Sequence, residues 1–242
     1  MTHFENLFVF GRPAAGKSEF IDFMKRCEPA KRLNTMHIAP FDMVDDYLFI
    51  KDISENETIF EKLSVPRQIT KVTKDGIMVV NEAYFPFATE KLNIIFGQKY
   101  IANPGYYKER TVLIEFSRGV RNFGYNAALN GLKKEILDRG AIIYIKASYE
   151  ESLRRNEARY QEKLKYSILA HKCPEEGMER YYKNDDWNEL TAGKECGCMN
   201  IGGAKLPFVT MNNEPESKDE SVMEKRYTEA LDKLIKLCSA GL

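Results

Sequence analysis

The feature that most constrains this chain is the run Phe8-Val9-Phe10-Gly11-Arg12-Pro13-Ala14-Ala15-Gly16-Lys17-Ser18, in which a short apolar stretch leads into the pattern G-x-x-x-x-G-K-S. Two glycines let a tight loop turn its backbone N–H groups inward around phosphate oxygens, while the lysine reaches β- and γ-phosphates and the serine hydroxyl can ligate Mg²⁺. The flanking sequence agrees with that reading. Leu7 to Phe10 reads as a buried strand, and Ser18 to Cys27 as a helix whose apolar positions are Phe20, Ile21, Phe23 and Met24. An anion cradle belongs at such a strand-to-helix turn. Gly11, Ala14, Ala15, Gly16, Lys17, Ser18 and Glu19 are therefore the candidate nucleotide-binding residues.

At 242 residues the chain is long enough for one sizeable α/β domain with a smaller mobile part. Thirty-six basic side chains balance 36 acidic ones, so no global field favours nucleic acid or an anionic membrane as partner. No apolar run approaches the roughly 18 residues of a membrane span, and the start lacks a basic-then-apolar leader pattern. A cytoplasmic setting is the expectation. Five cysteines, an odd number in a chain with no secretory look, argue for reduced thiols.

Along the chain, Glu28-Pro29 reads as a breaker, Leu33 to Pro40 as a second strand, and Asp42, Asp45 and Asp46 as the acidic first turn of a helix through Ile50. A carboxylate just past the carboxyl end of a strand borders the crevice of an open α/β sheet, which also makes Asp42 a candidate to orient or deprotonate an acceptor. Residues 53–110 read as an acceptor-side insert with a short helix, a hairpin arm at Gly76 to Val80 and a helix over Pro86 to Phe96; its aromatics suit a subdomain core or stacking on a base. Thr111 to Phe116 reads as a central parallel strand that carries Glu115 out of the sheet, where an acid opposite the loop serine holds Mg²⁺. Arg118 and Arg121 follow within reach of phosphates.

Gly124 to Gly140 reads as one amphipathic helix, Ala141 to Ile145 as a fourth strand, and Ser148 to Glu151 as a capping box. The helix that follows carries Arg155 and Arg159 four residues apart on one face, either aimed at a phosphate or base, or solvated with Glu151 pairing to Arg155. Residues 161–203 are polar, carry Trp187 and end in a glycine-rich run, a composition that suits a mobile lid. Lys205 to Met211 reads as a fifth strand and Ser221 to Leu237 as a closing helix. The core would then be 1–52, 111–160 and 204–242.

This order, together with the loop, resembles the nucleoside monophosphate kinase family, of which adenylate kinase is a member, and its deoxynucleoside kinase relatives. Arg155 and Arg159 fall on the family's R-x-x-x-R before the lid, Lys183-Asn184-Asp185-Asp186 looks like its R-x-D-D, and Lys194 falls near the following arginine. There are departures. Where the family has T-G-D-x-x-R, the chain has Ala39-Pro40-Phe41-Asp42-Met43-Val44-Asp45, without the acceptor-holding arginine. Its D-G-F-P-R becomes Glu115-Phe116-Ser117-Arg118, nearer to the E-R-S of deoxynucleoside kinases.

The resemblance implies a P-loop NTPase fold with a central parallel five-stranded sheet flanked by helices. It also implies an ATP-dependent kinase moving the γ-phosphoryl group of Mg-ATP to a small acceptor, most often a nucleotide or nucleoside. Lys17, Arg118, Arg155, Arg159 and Asp42 would be catalytic, and Ser18 and Glu115 would hold Mg²⁺. Rival readings are an ATP-binding regulatory module with little turnover and a P-loop transferase acting on a sugar or cofactor precursor. A guanine-type switch is disfavoured by the lack of N-K-x-D. His171, Cys173, Cys196 and Cys198 offer ligand types that zinc prefers, at spacings of one residue within each pair rather than the usual two to four.

Overall fold

The computed structural model describes residues 2–103, 105–166 and 171–240. Of the stretch read as a lid, 167–170 lies outside the described residues. A six-stranded sheet organises the chain: β1 (Asn6–Phe10), β2 (Phe41–Asp45), β5 (Thr111–Phe116), β6 (Gly140–Lys146), β7 (Cys196–Ile201) and β8 (Ala204–Asn212) in the order β2-β5-β1-β6-β8-β7. The first five in that order run parallel, and β7 turns back antiparallel on β8. The sixth strand is an addition to the expected five. Gly202 and Gly203, both in the left-handed region, make the tight β7–β8 turn that the glycine-rich run specifies. A separate hairpin pairs β3 (Thr70–Val72) with β4 (Ile77–Val79).

The chain leaves β1 toward β5 and β2 on one side and later toward β6 and β8 on the other. This topological switch opens a crevice at the carboxyl ends of the strands. One face of the sheet packs on α1 (Lys17–Arg26), α2 (Pro29–Met36) and the long terminal α10 (Glu220–Ala240), which buries Tyr227, Ala230, Leu231, Leu234 and Ile235 at helical spacing. The other face packs on α4 (Tyr84–Ile95), α5 (Tyr125–Gly131), α6 (Lys134–Leu137) and an aromatic group around Phe10, Phe116 and Tyr125. α3 (Tyr47–Lys62) and α7 (Tyr149–Leu164) flank the crevice; between α7 and β7 the described residues include α8 (Glu175–Gly177), the π-helical turn Met178–Tyr182 that continues it, and α9 (Trp187–Leu190).

Three segments differ from the sequence reading for local reasons. α1 ends at Arg26 before Glu28-Pro29, as read, but that pair then starts a second helix: the Glu28 carboxylate accepts from the N–H groups of Ala30 and Lys31 at 2.9 and 2.7 Å, and proline suits the first helical position. The second strand therefore begins after Pro40 and not before it, which places Asp42 near its start and Asp45 at its end. The helix expected over Gly124 to Gly140 is two pieces, because Leu132 and Lys133 are extended and Asn93 satisfies the broken backbone, donating to Gly131 O and accepting from Lys133 N. The boundary drawn at residue 53 falls inside α3.

The far half of the 161–203 stretch is packed structure. The Trp187 ring, 4% exposed, stacks on Tyr144 at 4.7 Å and meets Phe10 and Phe208 edge-on, and its indole N–H donates to Thr210 Oγ1. Trp187→Ala should cost roughly 3–5 kcal/mol in chemical denaturation, as loss of a buried ring does. Emission of this lone tryptophan should be blue-shifted and poorly quenched by iodide; red-shifted, readily quenched emission would contradict the packed arrangement.

Candidate functional site

The loop after β1 lines a cavity of about 300 Å³ at the carboxyl ends of the strands. Its floor is Pro13, Ala14, Lys17, Ser18, Glu115 and Ser117; Asp45, Asp46, Tyr47 and Tyr84 form one wall, and Arg159, Lys163, Cys173, Tyr181 and Tyr182 the other. Sheet register explains the gathering. Val9, Glu115 and Asp45 are cross-strand partners on β1, β5 and β2, so the acids at the ends of two strands face the loop that leaves the third.

Backbone strain and hydrogen bonding shape the loop. Gly11 and Gly16 have φ of +144° and +116°, which disfavour any side chain, and a Cβ on Gly16 would stand 2.3 Å from Asn213 Nδ2. The loop's carbonyls are tied off: Gly11 O accepts from Lys17 Nζ (3.0 Å) and Ser117 Oγ (2.8 Å), Arg12 O accepts from Lys17 Nζ (2.9 Å), and Ala15 O accepts from Asn213 Nδ2 (2.8 Å) and Arg155 Nη1 (3.3 Å). Arg12 braces the first turn through the carbonyls of Ala147 and Tyr182 and the Asp185 carboxylate. Among the described residues no side chain caps α1 at Gly16, so its first-turn amides point at the cavity without an intrahelical partner.

The cavity is charged in an unusual way for a buried place. Lys17 Nζ lies 3.9 Å from Glu115 Oε1 and donates to Ser117 Oγ at 2.7 Å. Burial lowers the Lys17 pKa, with Glu115 opposing. The same burial, reinforced by Asp45 and Asp46 and opposed by Lys17, pushes Glu115 up to about 7. Asp45 and Asp46 are also raised by burial. Asp46 is gripped by Arg118 Nη1 at 2.5 Å, while Arg118 Nε and Nη2 are buried with no hydrogen-bond partner among the described residues. Unpaired buried donors each cost about 1–3 kcal/mol. An uncapped helix N-terminus, an ammonium and half-free guanidinium donors fit a polyphosphate, and Ser18, Glu115 and Asp45 fit a hard divalent cation with oxygen ligands.

Of the sequence candidates, Gly11, Ala14, Ala15, Gly16, Lys17, Ser18, Glu115, Arg118 and Arg159 are brought together around this loop, with Arg159 paired to Glu19 at 2.6 Å. Two are not. Asp42 lies at the other end of β2, paired with Lys99 and Arg110 at 2.8 and 2.9 Å, because the strand starts later than the sequence suggests. Arg155 is wholly buried behind the loop, spanning Glu151, Ala15 O and Asn213 O. Asp185 and Asp186 also serve the scaffold: Asp185 holds Arg12 and Tyr144, and Asp186 caps α5 through the N–H groups of Tyr125 and Asn126. Lys183 pairs with Glu179 on the surface.

The sequence reads Asp45 and Asp46 as the acidic start of a helix, and Asp45 Oδ1 does accept from Tyr47 N at 2.9 Å with Asp46 at the N-cap position of α3; Pro40 as a strand opener is the signal that also places Asp45 at the strand end. Cys196 and Cys198 are exposed on β7, Cys173 is in the cavity wall, and among the described residues no group of three or more His, Cys, Asp or Glu could hold a metal ion. No helix among them is long and apolar enough to cross a membrane.

No protein-family model and no curated protein matches the chain. Among solved structures it is similar to APE1195, at 14% identity with a TM-score of 0.44 over 97% of this chain and 98% of that one. It is similar also to TT1252 from Thermus thermophilus, at 13% identity and a TM-score of 0.43 over 99% and 98%. A sugar kinase from Janibacter sp. HTCC2649 follows at 9% and 0.39 over 97% and 98%. Likeness this distant assigns the chain neither a family nor a substrate.

Glu115 sets a pH dependence. Its carboxyl rises from 4.5 in the unfolded chain to about 7 on folding, so between those values the folded state holds a proton that the unfolded state has released. Stability of the ligand-free protein therefore falls as pH rises through this window. Glu115→Gln should gain on the wild type by roughly 3 kcal/mol between about pH 4 and pH 8 in urea denaturation. A difference that stays flat with pH would show that Glu115 ionises normally.

Proposed function

We propose that this chain is an ATP-dependent phosphotransferase that moves the γ-phosphoryl group of Mg-ATP onto the hydroxyl of a small neutral acceptor. The observation that carries the reading is the convergence, in one cavity, of Lys17 and Ser18 at the uncapped start of α1 with the carboxylates of Glu115 and Asp45. Phosphoryl transfer needs positioning and charge neutralisation more than covalent chemistry, and these residues supply both. Loop amides and Lys17 hold the β- and γ-phosphates; Arg118 and Arg159 meet charge that spreads onto the transferring group. Mg²⁺, held by Ser18 and Glu115 with Asp45 beside them, would neutralise the phosphates when bound.

The acceptor wall favours an uncharged molecule. Apart from the carboxylates of Asp45 and Asp46 it is made of Tyr47, Ile50, Ile77, Met78, Val79 and Tyr84, a surface suited to a flat apolar body. Lys172 nearby is committed to Glu157 and Asp75, and Arg118 meets Asp46 through Nη1 alone, which leaves its other nitrogens for the transferring phosphoryl group. A phosphorylated acceptor would bring two negative charges up against the carboxylates of Asp45 and Asp46, whereas a hydroxyl can donate to a carboxylate. Asp45, whose carboxyl burial holds above its ordinary range, is suited to accept that proton. A nucleoside or a similar hydroxylated ring fits better than a nucleoside monophosphate.

Coupled ADP release from Mg-ATP across nucleosides, sugars and nucleoside monophosphates tests the reading: stimulation by a neutral acceptor is expected, and none by any acceptor would reject it. Lys17→Ala should lower transfer about a hundredfold or more with the fold intact by circular dichroism, and undiminished turnover would exclude the loop as the site.

A further inference from the structure

Arg155 is buried and Asn213 half-buried, and both spend hydrogen bonds on one atom of the phosphate loop. Ala15 O accepts from Asn213 Nδ2 at 2.8 Å and from Arg155 Nη1 at 3.3 Å. The two donors are themselves locked together: Arg155 Nη2 donates to Asn213 O at 2.7 Å, Arg155 Nε to Glu151 Oε1 at 2.7 Å, and Arg226 Nη1 on α10 to Asn213 Oδ1 at 3.3 Å. Asn213 N–H donates to Lys146 O at 2.9 Å, which fixes this residue to the end of β6. The Asn213 amide is oriented by its neighbours, with Nδ2 facing a carbonyl and Oδ1 facing a guanidinium.

A trans peptide is planar, and its C=O and N–H point in opposite directions. Holding Ala15 O outward therefore turns the Gly16 N–H inward, toward the side of the loop where Lys17 and Ser18 lie. We propose that Arg155 and Asn213 form a positioning clasp that pre-sets the Ala15–Gly16 peptide for polyphosphate binding, with α10 supporting it through Arg226. This rests on the reading of the loop as a polyphosphate site. The φ of +116° at Gly16 makes the peptide free to flip, since glycine has little preference between the two orientations, and a clasp on the carbonyl side removes that freedom before the ligand arrives. The contact is also close, because any Cβ at Gly16 would collide with Asn213 Nδ2.

The test uses inorganic tripolyphosphate as the probe, titrated calorimetrically into the full chain, with the Gly16 amide followed by ¹⁵N-resolved NMR. Asn213→Asp keeps the side chain's shape but replaces the donor with an acceptor, and Arg155→Lys keeps the charge but not the fork. Each is expected to weaken tripolyphosphate binding by about tenfold to a hundredfold and to lose the ligand-induced Gly16 shift, with the wild-type circular dichroism retained. Asn213→Gln, which can still donate, should recover part of the affinity. Variants that bind tripolyphosphate as tightly as the wild type, with the Gly16 shift intact, overturn the clasp while leaving the polyphosphate site standing. A wild-type protein that does not bind tripolyphosphate overturns both.

Discussion

The structure depends on keeping one ammonium and three carboxylates together, away from water, at the ends of parallel strands. Lys17, Glu115, Asp45 and Asp46 each lose hydration on folding, and burial drives each toward its neutral form. They are tolerated because they answer one another: Glu115 supports the Lys17 ammonium, and Arg118 grips Asp46. Like charges crowded beside a single lysine leave this end of the sheet short of positive charge, a condition that a divalent cation relieves. The rest of the fold can be read as what holds these groups in place. Two sheet registers bring the acids level with the loop, and α1 begins where its amides add positive potential.

The loop's other requirement is backbone direction. A chain of peptides can face an anion with its N–H groups only if its carbonyls are satisfied elsewhere, and here Lys17, Ser117, Arg155 and Asn213 perform that task on Gly11, Arg12 and Ala15. Arginine suits such work because its planar fork reaches several carbonyls at once. The same property makes an arginine on a helix face ambiguous in sequence. Arg155 and Arg159 share a face, yet Arg155 serves the loop's backbone and only Arg159 borders the cavity.

Local physics decided which expectations survived. The buried strands over 6–10, 111–116 and 140–146 were legible because a continuous apolar run between charges has few other solutions in an α/β chain. The α7 cap at Ser148 was legible because it needs only three residues of context. Position 28 misled because glutamate before proline can stop one helix and also start the next, and only the carboxylate's bonds to Ala30 and Lys31 show the second role. The shift of β2 by several residues followed, and with it the exchange of Asp42 for Asp45 at the crevice. Polar composition over 161–203 suggested a lid; Trp187 and β7 pack instead, since a stretch can be polar on average and still bury its few large side chains.

By itself the sequence determined the strand-loop-helix unit and its lysine and serine, because a tight glycine turn between a strand and a helix is a property of a few adjacent residues. It also determined that an acid would leave the sheet at Glu115, since a continuous apolar run that meets a carboxylate near its end is read within one strand. The tertiary structure alone decided which carboxylates stand beside that acid, which arginine faces the cavity and which braces the loop, and what Asn213 does. Those outcomes depend on strand register and on contacts between residues more than a hundred positions apart, such as Asn213 with Ala15, and no short-range pattern encodes them.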